Sequence, residues 1–187
     1  DITRTYPLGE LTEDEKRFYT WTLQSHIDLA KAVWLDYCEC KMIDTIAREP
    51  LWRHLINYRC GTGHSVSFVG NVHEGPHALN SRNTTRMRPG MVVTDEPGVY
   101  ETDLVGIRIE NELVCIHKAD NQYGTFLGFE PLTFVPIATS PILPGVLDKD
   151  ELAWLNDYHR QVFVKLAPHL NAEERVWLAE KCASIGC

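Results

Sequence analysis

The sequence predicts an α+β domain, an antiparallel sheet with helices flanking it. Thr12-Glu13-Asp14-Glu15 introduces a long stretch with apolar residues at helical spacing. From Cys60 onward that pattern gives way to short β-branched and apolar runs separated by Gly, Pro and Asn. After Pro141 the helical spacing returns, so strands and helices are grouped rather than alternating, and a parallel β/α sheet is disfavoured.

The elements follow in order. Residues 1–6 alternate Ile2, Arg4 and Tyr6 with Asp1, Thr3 and Thr5, which predicts a strand. Beyond the capping box, Tyr19, Leu23, Ile27, Ala30 and Trp34 predict a long amphipathic helix. His26 lies on it and reads as a surface residue, or one standing behind a site, not as a ligand. A second helix is predicted over 42–58, broken by Pro50 so that 51–56 forms a separate piece. Residues 60–106 read as strands and loops, 107–117 and 126–137 as further strands, with 121–124 as the turn between them. Residues 141–145 lead into a helical tail. Asp148 and Glu151 set its N-terminus, Leu152, Leu155, His159, Val162 and Leu166 line one face, Pro168 ends it and Asn171 caps a last short helix. Residues 1–140 are expected to form the body of the domain and 141–187 a helical extension of it.

The 187 residues are enough for one domain with a real core, and 44% hydrophobic with 24% charged residues is a globular composition. A formal charge of -8 argues against a nucleic-acid surface. No apolar run approaches the ~20 residues of a membrane span, and no secretory leader is visible. Cys38, Cys40, Cys60, Cys115, Cys182 and Cys187 show no framework spacing and read as reduced thiols. Cys38-Glu39-Cys40 has no second Cys/His pair at finger spacing, so it does not read as a zinc site.

The chemistry concentrates between Cys60 and Asn111. In Ile107-Arg108-Ile109-Glu110, strand alternation puts Arg108 and Glu110 on one face, either as a buried ion pair or as a metal-ligating carboxylate with an arginine behind it. The run Val92-Val93-Thr94-Asp95-Glu96 sets Val92, Thr94 and Glu96 on one side, and Pro97-Gly98 then turns the chain. Gly61-Thr62-Gly63-His64 lets the backbone come close before presenting an imidazole. His73 follows just ahead of Gly75-Pro76, and Asp1 offers a further carboxylate from a strand. Carboxylates with a single imidazole suit divalent ions such as Mn²⁺, Co²⁺ or Zn²⁺, and a bridging carboxylate would hold two ions ~3.5–4 Å apart.

These motifs carry a resemblance. Asp1-Ile2-Thr3-Arg4-Thr5, Gly61-Thr62-Gly63-His64, Asn71-Val72-His73-Glu74-Gly75-Pro76, Asp95-Glu96-Pro97-Gly98 and Gly106-Ile107-Arg108-Ile109-Glu110-Asn111 resemble the catalytic half of the aminopeptidase P family. These are pita-bread metallopeptidases, and the likeness continues through Leu127-Gly128-Phe129-Glu130-Pro131-Leu132-Thr133 and Trp154-Leu155-Asn156-Asp157-Tyr158-His159. The resemblance implies the C-terminal part of a pita-bread (creatinase/aminopeptidase) domain, with a curved antiparallel sheet and flanking helices. It implies two divalent metal ions, most often Mn²⁺, with Asp1 and Glu110 as bridging ligands and His64 and Glu96 as further ligands. Glu96 would also carry the proton to the leaving prolyl nitrogen, His73 would stabilise the developing oxyanion, and Arg108 would stand behind the ligands. The implied reaction releases an N-terminal residue followed by proline, with a metal-bridging hydroxide as nucleophile.

The reduced thiols read as those of a cytoplasmic protein, a homodimer is expected, and the expected partner is a peptide with proline in second position, not nucleic acid or a membrane. Prolidase is the nearest alternative enzyme, and a non-catalytic peptide-binding domain or a metal-free creatinase-type hydrolase are the others. The chain opens on Asp1 in what reads as mid-strand, so it is expected to be a fragment. The family's remaining aspartate ligand and the N-terminal portion of the protein would precede it, and these 187 residues alone are expected to be nearly inactive. Ser65 and Ser67 stand where relatives tend to carry glycine and Cys60 where many carry histidine, which would strain the loop if either serine needed a positive φ.

Overall fold

The computed structural model describes residues 1–186. Helix α1 (Glu13–Ala30) begins where the capping box predicts, with the Thr12 side chain accepting from the Glu15 N–H and the Glu15 carboxylate accepting from the Thr12 N–H. Its buried face carries Tyr19, Leu23 and Ile27. The helix stops before Trp34, which lies instead in strand β1 (Val33–Leu35) with its ring tilted on Phe129 at a centroid distance of 4.6 Å. Trp34 fitted the helical spacing, but its burial is met by the sheet.

Helix α2 (Cys40–Trp52) is one helix, not the two pieces expected. Pro50 falls in the last turn, so its missing N–H costs one bond of a helix that ends two residues later, and its ring is buried. Residues 53–56 are not helical, and Leu55 turns the chain at φ 59°.

Strand β2 (Gly63–His64) pairs with β3 (Ala78–Leu79), and β5 (Gly98–Glu101) with β6 (Val105–Arg108). Strands β4 (Val92–Asp95), β7 (Asn111–Asn121) and β8 (Gly124–Pro131) join β1 in a four-stranded antiparallel sheet of order β1-β8-β7-β4. The single strand expected over 107–117 is therefore two. The chain leaves its pairing with β5 at Arg108 and takes up pairing with β4 at Asn111, and the crossing at Ile109–Glu110 brings a carboxylate to the junction. The strand expected over 126–137 ends at Pro131. Beyond it the backbone is held by side chains, with Arg4 on the Val135 and Pro136 carbonyls and His159 on the Ile137 N–H. Residues 1–6 make one bridge, Thr3 to Glu110, rather than a strand, because the Thr5 hydroxyl satisfies both backbone groups of Arg108 in place of the ladder.

Helices α3 (Lys149–Leu166) and α4 (Ala172–Lys181) are capped by Asp148 and Asn171, as the sequence predicts. Leu155, Tyr158 and Val162 of α3 pack on Tyr19, Leu23 and Ile27 of α1, and each fully buried aliphatic side chain contributes about 2 kcal/mol. A second core, with Trp34, Leu79, Val93, Leu113 and Phe129, joins the sheet to α2. Among the described residues no helix is long and apolar enough to cross a membrane. Cys38, Cys40, Cys60, Cys115 and Cys182 are free thiols, as expected, and Cys187 lies outside the described residues.

Candidate metal centre

The site begins with a close approach of two strands. A Cβ at residue 63 would sit 1.7 Å from the Thr94 carbonyl oxygen, so only glycine lets β2 lie this near β4. The Glu96 N–H donates to the Thr62 carbonyl at 2.7 Å, and Ser65 bridges Val93. The Thr94 hydroxyl then accepts from the His64 N–H at 2.9 Å and donates to Glu96 Oε1 at 3.0 Å. One side chain thereby fixes the imidazole-bearing backbone against the carboxylate.

From the other side, the Glu110 N–H donates to the Thr3 carbonyl at 3.0 Å and the Thr3 hydroxyl donates to the Glu110 carboxylate. This aligns Asp1 with Glu110. Ligand atoms of Asp1, His64 and Glu110 all lie within 4.8 Å of one another. His64 Nε2 is 3.1 Å from Glu96 Oε1 and 3.6 Å from Asp1 Oδ2, and Arg108 Nη1 is 3.1 Å from Glu96 Oε2. The His73 ring stands edge-on to His64, centroids 4.0 Å apart, from an exposed loop. All six residues singled out in the sequence, Asp1, His64, His73, Glu96, Arg108 and Glu110, are thus brought to one place.

The donor set fits a divalent cation. His64 Nδ1 lies 3.2 Å from the Ser65 carbonyl, which can only accept, so Nδ1 is a donor, and in the neutral ring that binds a metal Nε2 turns its lone pair toward two carboxylates. Acceptors facing acceptors call for a cation between them. Three carboxylates against the single guanidinium of Arg108 leave excess negative charge. Burial pushes the Glu110 carboxyl above its usual range, the neighbouring Glu96 charge pushes the same way, and the Thr3 hydrogen bond opposes both. Cys38 and Cys40 belong to no such group among the described residues.

Neither Ser65 nor Ser67 takes a positive φ; in this loop that conformation falls to Gly70, at φ 139°. Cys60 is half-buried with its Sγ 3.6 Å from the Gly98 carbonyl. The sequence reading gave Thr3 and Thr94 no role, although strand alternation had put them on the same faces as Asp1 and Glu96. His26 proves to be fully buried behind the site, not on the surface.

The sequence model of metallopeptidase family M24 matches residues 1–117, and that of the C-terminal region of peptidase M24 matches residues 125–185. A probable Xaa-Pro aminopeptidase P of Laccaria bicolor is 39% identical over 193 residues, covering 99% of this chain and 30% of the relative. The crystal structure of an X-prolyl aminopeptidase from Caenorhabditis elegans, described as a cytosolic enzyme with a di-nuclear active site, superposes with TM-score 0.92 at 36% identity, covering 98% of this chain and 31% of that one. A prolidase from Pyrococcus furiosus gives TM-score 0.61 at 28% identity, covering 72% of this chain and 36% of that one. The chain spans about 30% of the length of the curated relatives it matches. The pita-bread fold expected from the sequence is therefore the fold observed.

Proposed function

The chain belongs to metallopeptidase family M24, and from that membership we propose that it carries the site of an Xaa-Pro aminopeptidase, which releases an N-terminal residue followed by proline. The observation that carries this reading is the convergence of Asp1, His64 and Glu110 within 4.8 Å, with Glu96, His73 and Arg108 beside them. The curated relative named probable Xaa-Pro aminopeptidase P matches 99% of the chain at 39% identity, and the X-prolyl aminopeptidase structure matches 98% of it at TM-score 0.92, which favours aminopeptidase over dipeptidase.

Asp1, His64, Glu96 and Glu110 would hold one divalent ion and contribute to the coordination of a second. The carboxylate-rich set favours Mn²⁺, with Co²⁺ and Zn²⁺ as weaker candidates. Bound there, such ions supply a nucleophile at neutral pH and polarise the scissile carbonyl. Glu96 accepts the proton of the attacking water and passes it to the prolyl nitrogen as that group leaves. The Thr94 hydroxyl on Oε1 and Arg108 on Oε2 hold this carboxylate in one orientation while it does so. His73, exposed beside His64, donates to the carbonyl oxygen as it gains charge. Ser65 keeps the His64 proton on Nδ1, leaving Nε2 free to ligate. The C. elegans enzyme, described as cytosolic, supports a cytoplasmic location; a homodimer is proposed from the family resemblance alone.

The test is a peptide assay on chelator-treated intact protein. Hydrolysis should return on adding Mn²⁺, and only for peptides with proline in second position. Equal cleavage of Xaa-Ala and Xaa-Pro peptides, or full activity without metal, would refute the reading.

A further inference from the structure

Behind the candidate metal centre lies a buried polar chain that the mechanism does not use. Asp95 and Asn111 are register partners on β4 and β7, and each is the sequence neighbour of a carboxylate at the site, Glu96 and Glu110. Alternation turns their side chains to the opposite face of the sheet. There His26 of α1 reaches between them, with Nδ1 3.0 Å from Asp95 Oδ2 and Nε2 3.3 Å from Asn111 Nδ2. All three residues are fully buried.

The heavy-atom contacts order the donors and acceptors of this chain. With Asn111 Oδ1 taken up by Arg4, the Asn111 amide N–H faces His26 Nε2, which accepts from it in the tautomer that carries its proton on Nδ1, toward Asp95. That proton is aimed at the Asp95 backbone carbonyl, 3.3 Å away, more directly than at the carboxylate, which is held by proximity and not by a straight hydrogen bond. Asn111 Oδ1 accepts from Arg4 Nη2 at 2.7 Å. Arg4 also donates to the carbonyls of Thr3, Glu110, Val135 and Pro136, and to the Tyr158 hydroxyl at 2.9 Å. Trp154 and Tyr158 of α3, stacked 5.3 Å apart, close the pocket, with the Trp154 ring edge-on to His26.

A chain of charged and amide groups at this depth is not there for stability, since apolar packing of the same volume would serve at least as well. What it does is join three backbone segments that each present ligands: residues 1–4, the end of β4 and the start of β7. We infer that Arg4, Asn111, His26 and Asp95 form a positioning network that sets the spacing of Asp1, Glu96 and Glu110 from behind, and so tunes metal affinity. This rests on the proposed reading of those three carboxylates as ligands. Outer groups that orient ligands change metal affinity by roughly 10–100-fold when removed.

The test measures Mn²⁺ binding by the intact protein, from the free-ion electron paramagnetic resonance signal, together with thermal unfolding. His26→Leu fills the volume without ring nitrogens and should weaken Mn²⁺ binding by about tenfold or more. His26→Gln, which can still donate and accept, should retain most of the affinity. Tyr158→Phe removes one hydroxyl from the network and should weaken binding several-fold, which decides the matter if the leucine variant does not fold. Tyr19→Phe deletes a hydrogen bond of α1 to the Ala138 carbonyl, outside the network, and should lower stability without changing Mn²⁺ affinity. Wild-type affinity in His26→Leu or in Tyr158→Phe would overturn the inference, as would losses that track stability across all four variants. A wild type that binds no Mn²⁺ would instead refute the metal reading on which the inference rests.

Discussion

Gly63 and Thr94 are in backbone contact with no room for a side chain between them: a Cβ on the first would meet the carbonyl oxygen of the second at 1.7 Å. His64 follows one of these residues by one position and Glu96 the other by two. The 3.1 Å separation of His64 Nε2 and Glu96 Oε1 is a consequence of that contact. Gly63→Ala must push β2 away from β4. The expected result is a loss of stability of at least ~2 kcal/mol in urea unfolding, as for other forced overpacking, with a larger proportional loss of peptidase activity.

Arg108 Nη1 lies 3.1 Å from Glu96 Oε2 and should matter to rate more than to folding. Its contact is partly exposed, so the pair adds little to stability. Arg108→Lys keeps the charge but not the planar fork. The expected outcome is a fall in kcat of roughly 10–100-fold with a nearly unchanged melting temperature, read by steady-state kinetics and calorimetry.

His159 predicts a pH dependence of stability. Its Nε2 accepts from the Ile137 N–H at 3.1 Å, and burial, the largest cause, lowers its pKa to about 4 from 6.5. With the folded value depressed, the unfolded chain takes up the proton first. Stability is whole above the unfolded pKa and is lost as pH falls from 6.5 toward 4. Between about pH 7.5 and 5.5 the loss from this group is about 1 kcal/mol. Urea unfolding at both pH values checks this, and His159→Gln should show a shallower slope than the wild type.

Ser65 offers a test of the loop. Because it does not occupy the positive-φ region, restoring glycine there relieves nothing and frees the unfolded chain. Ser65→Gly should cost about 0.5–1 kcal/mol, measurable as a lower melting temperature. A gain would show that the serine is strained.

Much of this was legible in the sequence. The starts of α1, α3 and α4 were readable because a capping residue and its partner lie three positions apart, and the turn at 121–124 because its residues are local signals. The six candidate site residues were noticeable from alternation and glycine placement, and their expected roles came from the likeness of the surrounding motifs to the aminopeptidase P family. What escaped was set by distant packing. Trp34 fitted the helical spacing of α1, and only pairing with β8 places it in a strand. The division at Ile109–Glu110 depends on which neighbours each half finds. His26 meets Asp95 and Asn111 from 69 and 85 positions away, a relationship no local pattern encodes.

The central claim is that Glu96 acts in a metal-dependent Xaa-Pro aminopeptidase. Its most direct test is the rate of release of the first residue from an Xaa-Pro peptide by Mn²⁺-loaded intact protein, wild type against Glu96→Ala. Loss of the proton-transferring group predicts a fall of roughly 10²–10⁴-fold, while an undiminished rate in the variant would contradict the account.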